Sequence, residues 1–292
     1  MSGNRIKLWI GLGAYVVAGA AAGHAMPGNA AHHGSVEAGK AAPPAATADS
    51  PLLAAGQGGE GGEGGEGGEG GEAGAAGSFA SPEAAFAGQL QLMKGHLRVG
   101  RELLRQGAPE EAMVHFHHPA EEIYDGIADS LAAHGAEPFK ADLERLATLV
   151  EQGTDRAAID RADDRAEAAI DAAIAHLPAA LRQRPAFWLD VAVGMLRQAA
   201  AEYREAVEDG RIANVVEYQD ARGFVWQARD LVESVGDRLR ASNAEAFREL
   251  MARFADLQQA WPSALPPQRP VKSAGEVAAL VSGIELLKGR FG

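Results

Sequence analysis

The chain has 292 residues, a formal net charge of −13 and no cysteine. This composition excludes disulfides, thiolate catalysis and metal sites built on cysteine. The acidic balance argues against nucleic acid as a partner, because phosphate binding needs a basic surface. Many of the 36 glycines lie in one tract, which indicates that part of the chain is not globular.

The first 25 residues have the pattern of an export signal. Arg5 and Lys7 form a short positive region, an apolar run follows over 8–23, and small residues mark a cleavage site after Ala25. The apolar run has about 16 residues, fewer than the roughly 20 that span a bilayer. We therefore expect a cleaved signal peptide over 1–25 rather than a retained anchor. The mature chain is expected to be periplasmic, with no membrane span.

Residues 26–80 have the composition of a low-complexity linker. The segment contains Pro43-Pro44 and five consecutive Gly-Gly-Glu units from Gly58 to Glu72. Such a tract buries too little apolar surface to offset its chain entropy, so disorder is predicted. Repulsion between the glutamates extends it further. It is interpreted as a solvated spacer, with weak collection of cations as the alternative.

From residue 81 to 292 the pattern indicates one all-α domain. Ser81 and Pro82 provide an N-cap followed by proline at the first helical position. Apolar residues then recur at spacings of three, four and seven, as on one face of a helix. The predicted helices cover 82–107, 109–134, 137–151, 155–176, 185–209, 214–240, 243–261 and 273–288. Because the connections are short, we expect a multi-helix bundle of antiparallel helices.

Histidines and acids concentrate in the second predicted helix. His115, His118 and Glu122 share one stripe, and Glu121 lies next to it. His96 lies on the apolar face of the first helix, and folding the two helices back on each other would bring it level with this cluster. The predicted metal ligands are His96, His115, His118, Glu121 and Glu122. Such nitrogen and oxygen donors suit iron, zinc, copper or manganese, and haem ligation by His96 and His118 stays open.

Other interpretations of these residues stay open as well. His96 could be a core histidine hydrogen-bonded to Glu121 or Glu122. Alternatively, His118 could act as the general base of a hydrolase, with Glu122 orienting its ring. No nucleophile is placed to complete such a site, so an enzyme is not expected. The fourth helix has an acidic face that could hold a hard cation. Interleaved arginines favour an ion-paired surface there instead; the acids are Asp160, Asp163, Asp164, Glu167 and Asp171.

Two segments resemble families linked to bacterial iron uptake. The stretch from Tyr203 to Asn214, closing with Glu217-Tyr218, is similar to the periplasmic N-terminal part of bacterial iron permeases. The segment His118-Pro119-Ala120-Glu121 resembles the short signature of imelysin-like proteins. That second resemblance implies His118 and Glu121 as the pair nearest a metal.

The combined prediction is an exported helical protein that binds or relays a transition metal in iron uptake or handling. Iron is favoured, with copper or zinc as alternatives. The expected partners are the metal ion and an inner-membrane permease or another envelope protein. The alternative function is a metal-free scaffold of the cell envelope, whose histidines form a hydrogen-bonded polar core.

Overall fold

The computed structural model describes residues 75–291, which are almost entirely helical. This confirms the predicted all-α helical bundle. The predicted signal peptide over 1–25 and the linker as far as residue 74 lie outside the described residues. Within 75–291 no helix combines the length and the apolar character needed to cross a bilayer.

The helices follow the predicted order, but the predicted helices 109–134 and 214–240 are each divided, and a short helix at Ala179–Arg182 was not predicted. They are α1 Pro82–Arg105, α2 Pro109–His118, α3 Tyr124–His134, α4 Lys140–Glu151, α5 Arg156–Ala175, α6 Ala179–Arg182, α7 Pro185–Ala206, α8 Val215–Ser234, α9 Gly236–Ser242, α10 Ala244–Gln258 and α11 Ala274–Lys288. A π-helical segment, Pro119–Ile123, joins α2 to α3 and is called the π turn below. Short 3-10 helices lie at Ala75–Ser78 and Gly289–Phe291.

The predicted helix over 185–209 is too long, because a β-hairpin replaces its last residues. Strand β1 (Val207–Glu208) pairs antiparallel with β2 (Arg211–Ile212). Asp209 and Gly210 form the turn with φ values of 50° and 70°. Two consecutive residues with positive φ suit the tight turn of a two-residue hairpin, and Asp-Gly is a preferred sequence for it. The hairpin makes α7 and α8 antiparallel neighbours.

Four long helices, α7, α8, α10 and α11, form a four-helix arrangement in the C-terminal part of the chain, and α1 packs across α7 and α8. Buried aromatic rings fill the end of this arrangement near the hairpin. Tyr203 lies 6.2 Å from Tyr218 and 4.8 Å from Trp261, measured between ring centroids. The two tyrosines of the iron-permease-like segment therefore pack against each other near the turn.

Helices α1 and α8 approach each other closely at a pair of glycines. A Cβ atom on Gly223 would overlap the carbonyl oxygen of Gly95, and one on Gly95 would lie 2.7 Å from Phe224 Cδ1. Gly100 has a similar role toward α2, because a Cβ there would lie 2.7 Å from Phe116 Cε2. These contacts bring one face of α1 against both α8 and α2, which fixes the relative positions of their polar residues.

We predict that Gly223→Ala destabilises the fold by about 1 to 3 kcal/mol, because the added methyl group forces two packed backbones apart. Chemical denaturation followed by circular dichroism measures this change. Gly126→Ala in α3 is the control, since a Cβ there meets nothing within 4 Å. The control should be neutral or stabilising by up to about 1 kcal/mol. Equal stability of the two variants would contradict the tight α1–α8 contact.

Candidate metal centre

Three histidines and one aspartate meet where α1, α2 and α8 pack together. His96 comes from α1, His115 and His118 come from the end of α2, and Asp220 comes from α8. Each offers one ligand atom, and these atoms all lie within 4.8 Å of one another. The side chains of His96, His115 and Asp220 are almost fully buried. The donors therefore converge inside the protein rather than on its surface.

The three imidazoles are arranged around a single carboxylate. Nδ1 of His96 and Nδ1 of His115 each lie 2.7 Å from Asp220 Oδ1. Nδ1 of His118 lies 3.4 Å from the other carboxylate oxygen, Oδ2. Thus the same ring nitrogen of each histidine faces Asp220, so three nitrogen donors and one oxygen donor share a common centre.

The outer nitrogen of His115 is held by a hydrogen bond. Nε2 of His115 lies 2.8 Å from Gln219 Oε1. The amide nitrogen of Gln219 donates to the carbonyl of Ala264 at 3.3 Å, so the amide oxygen is the atom that faces the ring. Because that oxygen can only accept, His115 Nε2 carries a hydrogen. The Nδ1 atom of His115 then either carries a second proton or presents a lone pair to a cation.

The other two rings have different surroundings. His96 meets the ring of Phe224 edge-on, with centroids 4.9 Å apart. Nε2 of His118 lies 3.4 Å from Glu122 Oε1 on the π turn. Histidines that bind metals usually donate their second nitrogen to a carboxylate or carbonyl, which fixes the ring and its tautomer. Gln219 and Glu122 occupy the positions of such second partners for His115 and His118.

The charges of the cluster favour an ionised carboxylate. Burial alone would raise the pKa of Asp220, but the imidazoles of His96 and His115 hold that pKa well below its usual value. Burial alone would lower the pKa of His118, but the adjacent Asp220 raises it overall. The buried negative charge of Asp220 is therefore stabilised by cationic neighbours, whether protons on the rings or a bound metal ion.

The residues present fit a transition-metal ion. Two buried atoms that face each other, His118 Nδ1 and Asp220 Oδ2, have no hydrogen-bond partner among the described residues. Leaving buried polar atoms unsatisfied is costly and rare in proteins, and such atoms often mark a site that binds a ligand. Three imidazoles and one carboxylate are a donor set for iron, zinc, copper or manganese, rather than for the harder Mg²⁺ or Ca²⁺.

The structure brings together three of the five predicted ligands, His96, His115 and His118. It does not bring Glu121 or Glu122 into the group. The side chain of Glu121 is 52% exposed and lies 3.4 Å from His117 Nδ1. Glu122 lies on the outer side of His118. The carboxylate at the centre is that of Asp220, which the sequence analysis did not identify.

A sequence signal for Asp220 exists in the pattern of α8. Asp220 precedes Phe224, Ala228 and Leu231 by 4, 8 and 11 positions, and all three are buried. It therefore lies on the apolar face of its helix, where an unpaired carboxylate is costly. Charged residues on such faces are either paired or bind a metal, so this position was a candidate without reference to the histidines.

The acidic face of α5 is ion-paired, in agreement with the favoured interpretation. Asp160 pairs with Arg156, and Asp171 pairs with Lys94, each at 2.7 Å. Arg101 of α1 bridges Asp163 and Glu167 at 2.6 Å to each carboxylate. Burial raises the pKa of Asp163 to about 6, against the opposing effect of Arg101. Across 75–291, no group of three or more metal-binding donors other than the His–Asp cluster is found.

Comparison with known proteins places this centre in context. Residues 178–288 match the protein-family model of the iron permease-associated 4-helix bundle domain. The C-terminal part of the chain is therefore similar to a helical domain associated with iron permeases. The match includes the segment from Tyr203 to Tyr218 that resembled iron permeases, whereas the resemblance to imelysin-like proteins is not confirmed. Searches of curated proteins and of solved structures found no match.

The matched residues contain only one member of the centre. Asp220 lies within the matched residues, whereas His96, His115 and His118 precede them. The centre is thus formed where the helices of the matched domain pack against the two helices α1 and α2.

We predict that Asp220→Asn lowers the pKa of His118 in metal-free protein, because the negative neighbour that raises this pKa is lost. NMR titration of the imidazole C–H signals measures the change. With Asp220 in place, protonated His118 persists to higher pH, and in the variant the ring loses its proton at lower pH. His134, bonded to its own helix through the Ser130 carbonyl, is the internal control. An unchanged or raised pKa of His118 would contradict the described geometry.

Proposed function

We propose that this protein binds a transition-metal ion, with iron favoured, at the centre formed by His96, His115, His118 and Asp220. The observation that supports the proposal most strongly is the convergence of three Nδ1 atoms on one buried carboxylate. A cation at this point would replace the protons that the rings need in order to neutralise Asp220. Metal binding is therefore expected to release protons and to strengthen as pH rises.

Two observations together favour iron among the metals that suit this donor set. The donors are nitrogen and oxygen atoms, which iron accepts as readily as zinc or copper. The chain also contains an iron-permease-related domain, which suggests association with an iron permease. We therefore propose that the protein delivers iron to such a permease, with copper or zinc as the alternative cargo.

The proposed site of action is the periplasm. The support comes from the N-terminal pattern of positive residues, an apolar run and a small-residue cleavage site. The tract of Gly-Gly-Glu units would then separate the folded domain from whatever precedes it, with extension favoured by charge repulsion.

We propose binding rather than catalysis because the centre admits only a small ligand. The side chain of His118 is 13% exposed, and the side chains of the other three members are 0% or 1% exposed. A substrate larger than an ion could not reach the donor atoms without displacing α2 or α8. Buried sites of this kind suit storage or transfer of a metal.

We predict that the exported protein, purified without a His-tag and loaded with Fe²⁺ under anaerobic conditions, holds close to one metal ion per chain. The double variant His96→Ala/His118→Ala should hold almost none, because it removes two of four ligands. Elemental analysis measures both. His117→Ala is the matched control, since His117 is adjacent to His118 but pairs with Glu121 outside the centre.

Equal metal content in the wild type and the double variant would contradict the assignment of the site. No metal in any of the proteins, after loading with iron, copper and zinc in turn, would contradict the proposed function. That second result would favour a metal-free scaffold in which the histidines form a polar core.

We predict that Gln219→Leu weakens metal binding about 10- to 100-fold without abolishing it, as expected for loss of a partner that orients a ligand. The hydrogen bond from His115 Nε2 would be lost, so its ring would no longer be held with Nδ1 toward the centre. Competition with a chelator of known affinity measures the change. Gln227→Leu is the control, because it removes a different hydrogen bond of α8, to Gln91 of α1, two turns further along the helix. Equal weakening in both variants would indicate a general loss of stability.

A further inference from the structure

We propose that Glu122 and His118 form the route by which the metal ion reaches the buried centre, with Glu122 binding the incoming ion and the His118 ring transferring it to Asp220. This inference rests on the proposed metal-binding function. It assigns Glu122 to the path of the ion rather than to its final coordination sphere.

Exposure to solvent decreases in steps along these three residues. The side chain of Glu122 is 32% exposed, that of His118 is 13% exposed and that of Asp220 is 1% exposed. His118 is the one member of the centre whose side chain reaches solvent, because His96 and His115 are both 0% exposed. An ion that arrives from outside therefore meets His118 before any other ligand.

The donor atoms form a continuous series from the surface to the interior. Glu122 Oε1 lies 3.4 Å from His118 Nε2, and His118 Nδ1 lies 3.4 Å from Asp220 Oδ2. One imidazole thus has its outer nitrogen beside a surface carboxylate and its inner nitrogen beside a buried one. The inner pair, His118 Nδ1 and Asp220 Oδ2, is a long ion pair rather than a well-formed hydrogen bond.

The other sides of the centre are closed. The outer nitrogen of His115 is engaged by Gln219, which is itself buried and bonded to the Ala264 carbonyl. The ring of His96 abuts buried Phe224. A hydrated cation would have to displace core side chains on either of these sides, whereas on the His118 side it exchanges water for charged and polar ligands.

The backbone at this point is suited to movement of the His118 side chain. Pro119 has no N–H group, so the α-helical hydrogen bond to the carbonyl four residues earlier is missing. The following turn is π-helical, with the Tyr124 N–H bonded to the Pro119 carbonyl. Such π turns are uncommon and occur often at functional sites. His118 and Glu122 lie at the two ends of this wider turn, where the helix is held by fewer α-type hydrogen bonds.

A surface carboxylate speeds the arrival of a cation by concentrating it next to the opening. It also replaces part of the hydration shell before the ion meets the imidazole ring. Because Glu122 also lies beside the outer nitrogen of His118, its loss should slow loading and weaken the bound state as well. The loading rate is therefore the quantity that tests the route.

Stopped-flow loading of the full chain with Co²⁺, followed by its visible absorption, tests this inference. We expect Glu122→Gln to slow Co²⁺ binding about tenfold. Removal of Co²⁺ by excess chelator should not slow, because loss of the carboxylate beside His118 also leaves the bound ion less stabilised. Glu121→Gln is the matched control, because Glu121 is an adjacent, more exposed carboxylate that faces His117. Thermal melting of the metal-free variants checks that both are folded.

Two results would overturn the route while leaving the proposed function intact. The first is an unchanged loading rate in Glu122→Gln; a weaker Kd in that case would make Glu122 an equilibrium ligand. The second is equal slowing in Glu121→Gln, which would indicate a general effect of surface charge. Failure of the wild-type protein to bind Co²⁺ or Fe²⁺ would instead overturn the proposed function itself.

Discussion

The contact between the backbones of α1 and α8 at Gly95 and Gly223 is the constraint on which the centre depends. With no side chain at either position, the two helices approach until the backbone of one lies against the other. His96 follows Gly95 directly, and Asp220 lies almost one turn before Gly223. The same contact that packs the core therefore sets the distance between an imidazole and a carboxylate. A larger residue at the crossing would separate the helices and the donors together.

Burying Asp220 has a cost that hydrophobic packing alone cannot offset. An ionised carboxylate in a protein interior loses several kcal/mol of hydration energy, and partners must compensate for that loss. Three imidazoles surround Asp220, yet one of its oxygens accepts no hydrogen bond from the described residues. A core selected for stability alone would be expected to replace such a group with apolar side chains. Its presence is more simply explained by a ligand that completes the interactions.

Local sequence patterns predicted most of the helices, because caps and apolar periodicity act over a few residues. The N-cap expected at Ser81 accepts a hydrogen bond from the following turn. The asparagines that begin the predicted helices 214–240 and 243–261 do the same. The three histidines were also predictable. Helices α1 and α2 form a hairpin, and residues at equal distances from its turn lie opposite each other. The burial of Asp220 could have been predicted from the pattern of α8, but its contact with the histidines could not. It lies about a hundred residues further along and meets them only through tertiary packing. The π turn likewise departs from the regular α-helix on which the prediction of Glu121 and Glu122 as ligands was based, and neither is in the central group.

The centre joins two distant parts of the chain. His118 belongs to α2, whereas Asp220 lies within the residues that match the iron permease-associated domain, and about a hundred residues separate them. An ion bound by both would act as a cross-link that closes this long loop, and the entropy that a cross-link removes from the unfolded chain grows with loop length. Release of the ion would remove the cross-link. The affinity of α1 and α2 for the rest of the protein would then depend on cargo, so a loaded molecule and an empty one would differ mechanically even with the same fold.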